Sequence, residues 1–296
     1  MKNILVTGAT SGIGYEVIKL LAEKKNNIIF FARNDKKSSQ LNDLLKQRYN
    51  VLGHYYICDF SDLNTVKKAT EELIKDTKKI DCIINNAGKV YFSYDKTKDG
   101  IERSFQINYL SHFYITEKLL EKNILDKNSQ IINVSSVAHN PNSSINSLDS
   151  IKYKKLVGKM NFKDINYENE KFRGFTSLFY SRSKMAQIMW SYYRSKSRDE
   201  ININSIHPGL LGSNVIFENG IFGKLLTPLF KLFFRSSKEG AKNILYVIEK
   251  VNDENLTGKY FDERKISDSH EYSYNEEDQK ELFDLSKKLL LDRKIF

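Results

Sequence analysis

Tyr180 and Lys184 stand four positions apart in FYSRSKMAQ, residues 179–187. On a helix such a pair shares one face. An ammonium group near a phenol favours the phenolate and lowers a pKa that is ordinarily about 10. Tyr180 could then exchange a proton with a substrate oxygen as general acid or base. Taken alone, the spacing favours the plainer reading of a packed tyrosine beside a surface cation, because the chain holds 17 Tyr and is rich in Lys. A second stretch supplies a partner for the chemical reading. TGATSGIG, Thr7 to Gly14, lies between an apolar run and an amphipathic one. Gly8, Gly12 and Gly14 can adopt positive φ and let the backbone approach a ligand. The helix that follows directs free N–H groups and its positive dipole end at the same place, an anion site suited to a pyrophosphate.

The elements that must position these residues alternate. NILVT (3–7), NIIFFA (27–32), HYYICD (54–59), DCIINN (81–86) and SQIINVSS (129–136) read as strands. Helical spacing appears at 14–25, 40–49, 62–76, with Ser61 as its N-cap, and 99–122. After an Asn/Ser/Lys-rich stretch, a helix is expected near 175–197, a strand at 200–206, a turn at HPGLLGSN, a helix near 237–250, a short strand near 258–262 and a helix near 275–291. Strands alternating with helices imply βαβ units with right-handed crossovers. Strands that are apolar on nearly every residue are covered on both faces. The expected fold is α/β: one Rossmann-type doubly wound domain over 1–296, with a parallel sheet of about seven strands flanked by helices.

Bulk properties narrow the function classes. The chain has 296 residues, 40% hydrophobic and 28% charged, with a net charge of +10. The charge is spread without a dense basic block, so no nucleic-acid partner is expected. Cys58 and Cys82 lie in apolar runs and form no ligand spacing, so disulfide and metal frameworks are not expected and a reducing compartment fits. No leader is read in MKNILVTG and no run reaches 18 apolar residues, so a cytoplasmic or peripheral location is the expectation.

TGATSGIG followed by NNAG (Asn85 to Gly88) resembles the short-chain dehydrogenases/reductases, and the likeness runs from residue 3 to about 262. It implies a cofactor-binding set of Gly8, Thr10, Ser11, Gly12, Ile13 and Gly14 in the turn, Asp59 near the adenine, and Asn86, Ala87 and Gly88 beside the cofactor. Asn108 in QINYLSHF, Ser136 in NVSS, Tyr180 and Lys184 match the family's catalytic tetrad. In that mechanism Tyr180 exchanges the proton, Ser136 holds the substrate oxygen, Lys184 also binds the nicotinamide ribose, and Asn108 supports a water that relays protons through Lys184. Pro208, Gly209 and Ser213 match the turn and hydroxyl that hold the nicotinamide carboxamide. NVSSVAH, FYSRSK and IHPGLLGSN look most like the retinol dehydrogenase-like branch, which includes general carbonyl reductases. GKYF at 258–261 recurs there as well.

At the position where NAD-binding relatives carry an acid, the chain has Ala32 followed by Arg33, with Lys36 and Lys37 close by and Asp35 the one nearby acid. A guanidinium suits a 2′-phosphate, so NADP is expected over NAD. The substrate side is distinctive. A polar insertion around 139–172 is longer than in typical branch members and reads as a surface excursion, with His139 a surface or structural histidine. An apolar lid is expected around 209–236. Its segment 221–234 could cover an apolar substrate, touch a membrane surface, or pack as core, and Pro228 argues against one unbroken helix. The function implied is NADP-dependent interconversion of a small hydrophobic alcohol and its aldehyde or ketone, by a monomer or homodimer. The alternative is a non-catalytic NADP-binding scaffold or redox sensor, a role in which relatives usually lose tetrad residues.

Overall fold

The computed structural model describes residues 1–91, 93–143, 146, 154–168, 178–197, 201–210 and 236–296. Eight strands form one sheet: β1 (Asn3–Thr7), β2 (Asn27–Ala32), β3 (Gly53–Ile57), β4 (Cys82–Asn85), β5 (Gln130–Val134), β6 (Asn202–His207), β7 (Tyr260–Asp262) and β8 (Lys265–Ser267). Their order is β3-β2-β1-β4-β5-β6-β7-β8. The first seven are parallel, as expected, and β8 adds antiparallel to β7. The extra strand returns through Glu263, whose φ is 56°. The connecting residues Glu263 and Arg264 lack the Asn-Gly or Gly signal that usually marks a two-residue hairpin, so nothing in the sequence announced it.

Alternation along each strand divides the core in two. Ile4, Val6, Ile28, Phe30, Ile84, Ile132 and Ile206 face the helices α1 (Gly12–Glu23), α2 (Asp35–Leu44) and α6 (Ser237–Glu254). Leu5, Ile29, Phe31, Ile83, Ile131 and Ile203 face the other layer. That layer begins with α3 (Leu63–Asp76). Next is α4 (103–121), in which Arg103–Phe105, a π turn at Gln106–Leu110 and Ser111–Glu121 run end to end. It is completed by α5 (Leu178–Ser197) and α7 (Glu276–Leu291). The N-cap of α3 is Asp62, whose carboxylate accepts from Asn64 N–H, and not Ser61.

The C-terminal helix closes this second layer. Phe283 of α7 packs edge-on against Phe113 of α4 at 5.4 Å and tilted against Tyr193 of α5 at 4.7 Å. The Tyr109 and Ser286 hydroxyls share a buried hydrogen bond of 2.9 Å. Phe283→Ala is expected to cost about 3–5 kcal/mol through the cavity it leaves between α4, α5 and α7. Urea unfolding checks this, and a change below about 1 kcal/mol would mean that the C-terminal helix is dispensable to the core.

Candidate active site

The sheet reverses direction of travel between β1 and β4, and the loops that leave the C-terminal ends of the parallel strands converge there. This is where ligands bind in open α/β sheets. The turn after β1 is shaped by proximity. Gly8 and Gly12 have φ of 68° and 58°, as expected, whereas Gly14 does not have positive φ and sits inside the first turn of α1. Its requirement is space: a Cβ there would lie 2.6 Å from Asn86 Nδ2 and closer still to the Gly8 carbonyl oxygen. On Gly8 a Cβ would lie 2.9 Å from Ala87 Cα. Asn86 donates from Nδ2 to the Thr7 carbonyl at 2.8 Å, and Thr7 Oγ1 accepts from the N–H groups of Asn86 and Ala87 at 2.9 and 2.8 Å. Thr10 is half-buried and Gly12 exposed in the turn, and Ile13 is half-buried in α1. Ser11 is the N-cap of α1 and makes no side-chain capping bond. The helix start keeps its dipole end and N–H groups for an anion. Bare glycine backbone packed this tightly beside a helix start fits a dinucleotide pyrophosphate.

Arg33 is exposed directly after β2, and Ala32 is buried. Asp35 accepts from the Tyr55 hydroxyl at 3.1 Å, which turns the one nearby acid toward β3. Across the groove, burial pushes the Tyr91 phenol up, while Lys89, Arg103 and Arg33 pull it down. The Arg103 guanidinium lies 3.8 Å from that ring's centre. Asp59 follows β3 and accepts from Ser61 N–H and Oγ at 2.9 and 2.7 Å. After β6, Pro208 and Gly209 are buried, with Gly209 at φ 107°. Asn243 of α6 donates to the Pro208 carbonyl at 3.0 Å and accepts from Arg264 Nε at 2.8 Å, tying this turn to the β7–β8 hairpin. Ser213 and the segment 221–234 lie outside the described residues.

The four tetrad positions converge. Asn108 sits in the π turn of α4, a helix irregularity common at functional sites. Its Oδ1 accepts from Lys89 N–H at 2.8 Å, and its Nδ2 donates to the Lys89 carbonyl at 3.1 Å and to Ser183 Oγ at 2.9 Å. The Asn108 amide thus clamps the chain beyond Gly88 to α5. Ser136 follows β5 and its hydroxyl accepts from Ala138 N–H at 3.2 Å. Burial raises the Tyr180 pKa, and the hydrogen bond between its hydroxyl and that of Ser136 opposes the rise. Lys184 Nζ lies 5.6 Å from the Tyr180 ring centre and donates to the Val134 carbonyl at 2.7 Å and to Gln187 Oε1 at 3.0 Å. It is 3.4 Å from the position a Cβ on Gly88 would take. The expected lowering of Tyr180 by Lys184 is therefore not what the protein shows. Desolvation dominates both groups, raising the phenol and bringing the ammonium down to about 7.

Several supporting contacts are not legible in the sequence. Asn85 and Asn133 begin a buried chain across the sheet: Asn85 donates to Asn133 Oδ1 and Thr116 Oγ1, Asn133 donates to Ser191 Oγ, and Ser191 bonds Ser205. These residues hold β4, β5, β6, α4 and α5 in register below the site. Asn85 opens NNAG and Asn133 opens NVSS, but neither motif announces the pairing, because the partners are remote in sequence. The insertion is not wholly a surface excursion. Its Val157 and Tyr167 are buried, and Arg182 of α5 donates to the Lys159 carbonyl while stacking 3.8 Å from the Tyr167 ring centre. His139 is buried, with Nδ1 facing the Ser136 carbonyl at 2.6 Å.

Two outcomes follow from this geometry. Gly14→Ala is expected to destabilise the protein by about 1–3 kcal/mol and to prevent dinucleotide binding, because its methyl meets backbone on one side and Asn86 on the other; tight binding by the variant would show that the turn has slack. Burial brings the Lys184 ammonium from its ordinary value of 10.5 down to about 7. Between these values the unfolded chain binds more protons, so this group's contribution to stability rises with pH across that window and is most unfavourable below it. The unfolding midpoint of cofactor-free protein should rise more steeply with pH over that window in the wild type than in Lys184→Met, and parallel slopes would contradict a desolvated ammonium.

The sequence profile of the family described as short chain dehydrogenase matches residues 2–147. Retinol dehydrogenase 13 from Mus musculus is 30% identical over 269 residues, covering 88% of this chain and 75% of the relative. Short-chain dehydrogenase TIC 32 B, chloroplastic, from Brassica napus is 27% identical over 296 residues, covering 97% and 88%. Among solved structures, salutaridine reductase from Papaver somniferum has the same fold, with a TM-score of 0.63 at 20% identity over 88% of this chain and 99% of that one. NADPH-dependent 3-quinuclidinone reductase from Rhodotorula rubra matches with a TM-score of 0.63 at 18% identity over 88% and 89%. With the glycine turn, the ordered tetrad positions and these relatives in hand, the chain belongs to the short-chain dehydrogenase/reductase family of oxidoreductases acting on CH–OH groups, in its retinol dehydrogenase-like branch.

Proposed function

We propose that the protein is an NADP-dependent oxidoreductase that interconverts a hydrophobic alcohol and its aldehyde or ketone, with Tyr180 as general acid/base. The observation that carries this reading is the meeting, beside Gly88, of a desolvated lysine and the asparagine of a π turn, with the ring of a phenol hydrogen-bonded to a serine centred 5.6 Å from the lysine nitrogen. NADP, when bound, supplies or accepts the hydride. Gly8, Thr10, Ser11, Gly12, Ile13 and Gly14 would hold its pyrophosphate, Asp59 its adenine, Arg33 its 2′-phosphate, Asn86 to Gly88 and Lys184 its ribose, and Pro208, Gly209 and Ser213 its carboxamide.

The chain's own residues divide the remaining work. The Ser136 hydroxyl, fixed by Ala138 N–H, orients the substrate oxygen. Tyr180 holds its proton at neutral pH, as an ordinary phenol does and burial reinforces, so it can donate to that oxygen as negative charge develops there. Lys184, brought to about 7, exchanges protons readily in the working range and can reload Tyr180. Asn108 keeps the chain at Lys89 in place. The preference for NADP rests on Arg33 at the end of β2 and on Asp35 being engaged by Tyr55. Support for an apolar substrate comes from the relatives named retinol dehydrogenases. No helix among the described residues is long and apolar enough to cross a membrane, and the proposal extends to contact of 221–234 with a lipid surface, on the strength of its apolar residues interspersed with cations.

Tyr180→Phe should bind NADPH as the wild type does and reduce aldehydes and ketones at least about 100-fold more slowly; retained turnover would refute the assignment. The wild type should show a higher kcat/KM with NADPH than with NADH, and Arg33→Ala should shrink that ratio by about tenfold or more. A preference for NADH would overturn the NADP reading and leave the tyrosine assignment standing.

A further inference from the structure

His112 lies one helical turn beyond Asn108, is fully buried, and takes no part in the chemistry described above. Its two ring nitrogens reach two different parts of the site. Nδ1 is 3.0 Å from the Asn108 carbonyl oxygen, and Nε2 is 2.9 Å from Thr7 Oγ1. The ring is held edge-on by Phe60 at 4.9 Å. A carbonyl oxygen can only accept, so Nδ1 carries the proton and donates to Asn108. Nε2 is then an acceptor, and the Thr7 hydroxyl must donate to it. That assignment completes the bonding of Thr7, whose oxygen already accepts from the N–H groups of Asn86 and Ala87. The other acceptor near Thr7 Oγ1, the Ile84 carbonyl, is farther away at 3.4 Å. Burial, which brings His112 down to about 3, agrees with a neutral ring.

We infer that His112 is a positioning residue that locks the dinucleotide turn to the π turn of α4. Donation runs in one direction, from the Asn86 and Ala87 N–H groups to Thr7, from Thr7 to His112 and from His112 to the Asn108 carbonyl. These residues border the glycine turn on one side and Gly88 on the other. The ring therefore sets the distance between the surface that takes the cofactor and the helix that carries Asn108. It acts as a single tautomer and not as a proton carrier. Protonating Nε2 would place a donor against the Thr7 hydroxyl, whose lone pairs are already taken. The inference rests on the reading of Gly8 to Gly14 as the dinucleotide turn.

The test combines NADPH titration by fluorescence, steady-state kinetics and histidine 15N NMR on the full chain. In the wild type, the His112 ring should be the Nδ1–H tautomer and should not titrate between about pH 5 and 8. An Nε2–H ring, or a midpoint near the ordinary value of about 6.5, would overturn the inference without any substitution. His112→Leu leaves Thr7 and the Asn108 carbonyl without this partner, and is expected to raise the Kd and KM for NADPH by about tenfold or more. In His112→Gln the amide can reach the Nε2 position and accept from Thr7, and NADPH affinity should recover to within about threefold of wild type. A role limited to folding would lower the unfolding midpoint of both variants while their folded fractions kept the wild-type Kd and KM for NADPH; that outcome overturns the inference and leaves the proposed function standing. If His112→Leu does not fold, the glutamine variant and the tautomer decide. A wild type that binds no NADPH would overturn the proposed function and, with it, the role given to His112.

Discussion

Asn86 and Ala87 lie so close to Gly8 and Gly14 that neither glycine has room for a methyl group, and the Asn86 amide ties the end of β4 to the Thr7 carbonyl at the end of β1. Everything else at the site depends on that closeness. It brings the two strands where the sheet reverses into contact through their loops, leaves bare backbone facing outward, and sets α1 with its N-terminus toward the same groove. A larger residue at either glycine would separate the loops and the phosphate surface with them. The contact also places Gly88 against the other half of the site, where Asn108 and Lys184 crowd the space a Cβ would fill.

The second half is built by burial more than by charge. Lys184 is almost fully enclosed, and its ammonium is satisfied by a strand carbonyl and the Gln187 amide. Tyr180 is raised by the same loss of water and shares its hydroxyl with Ser136. Desolvation thus leaves an acid that holds its proton beside a cation that holds its own loosely, a pairing fitted to proton delivery near neutral pH. The layer beneath is rigid because its polar groups are joined across elements. Asn85, Asn133 and Ser191 link three strands and two helices, and α7 seals them with Phe283.

Much of this was legible in the sequence where one local signal sufficed. NILVT, NIIFFA and DCIINN are continuous apolar runs bounded by turns, so the parallel strands could be read within a residue or two. Gly8 and Gly12 stood out because a positive φ is a local demand. Gly14 answers to a different demand, since its need for space comes from the Gly8 carbonyl oxygen and from Asn86, 72 positions away. The π turn at Gln106–Leu110 keeps the apolar spacing of an ordinary helix and leaves no trace in the pattern. The protonation of Tyr180 and Lys184 could not be read from their i,i+4 spacing, because it depends on enclosure by Val134, Gln187 and the sheet. The insertion looked polar along its length, yet Tyr167 and Val157 are drawn inward by Arg182 and the start of α5, contacts that only the folded chain brings together.

The central claim is that these groups carry out hydride transfer and do not merely hold a dinucleotide. A single-turnover reaction with NADPH carrying deuterium at both C4 positions and a panel of medium-chain aldehydes and ketones tests it most directly. The account predicts that, for at least one of them, each NADPH consumed leaves one deuterium on the carbinol carbon of the product. NADPH that binds tightly while no deuterium reaches any carbonyl carbon would contradict it and point to a scaffold.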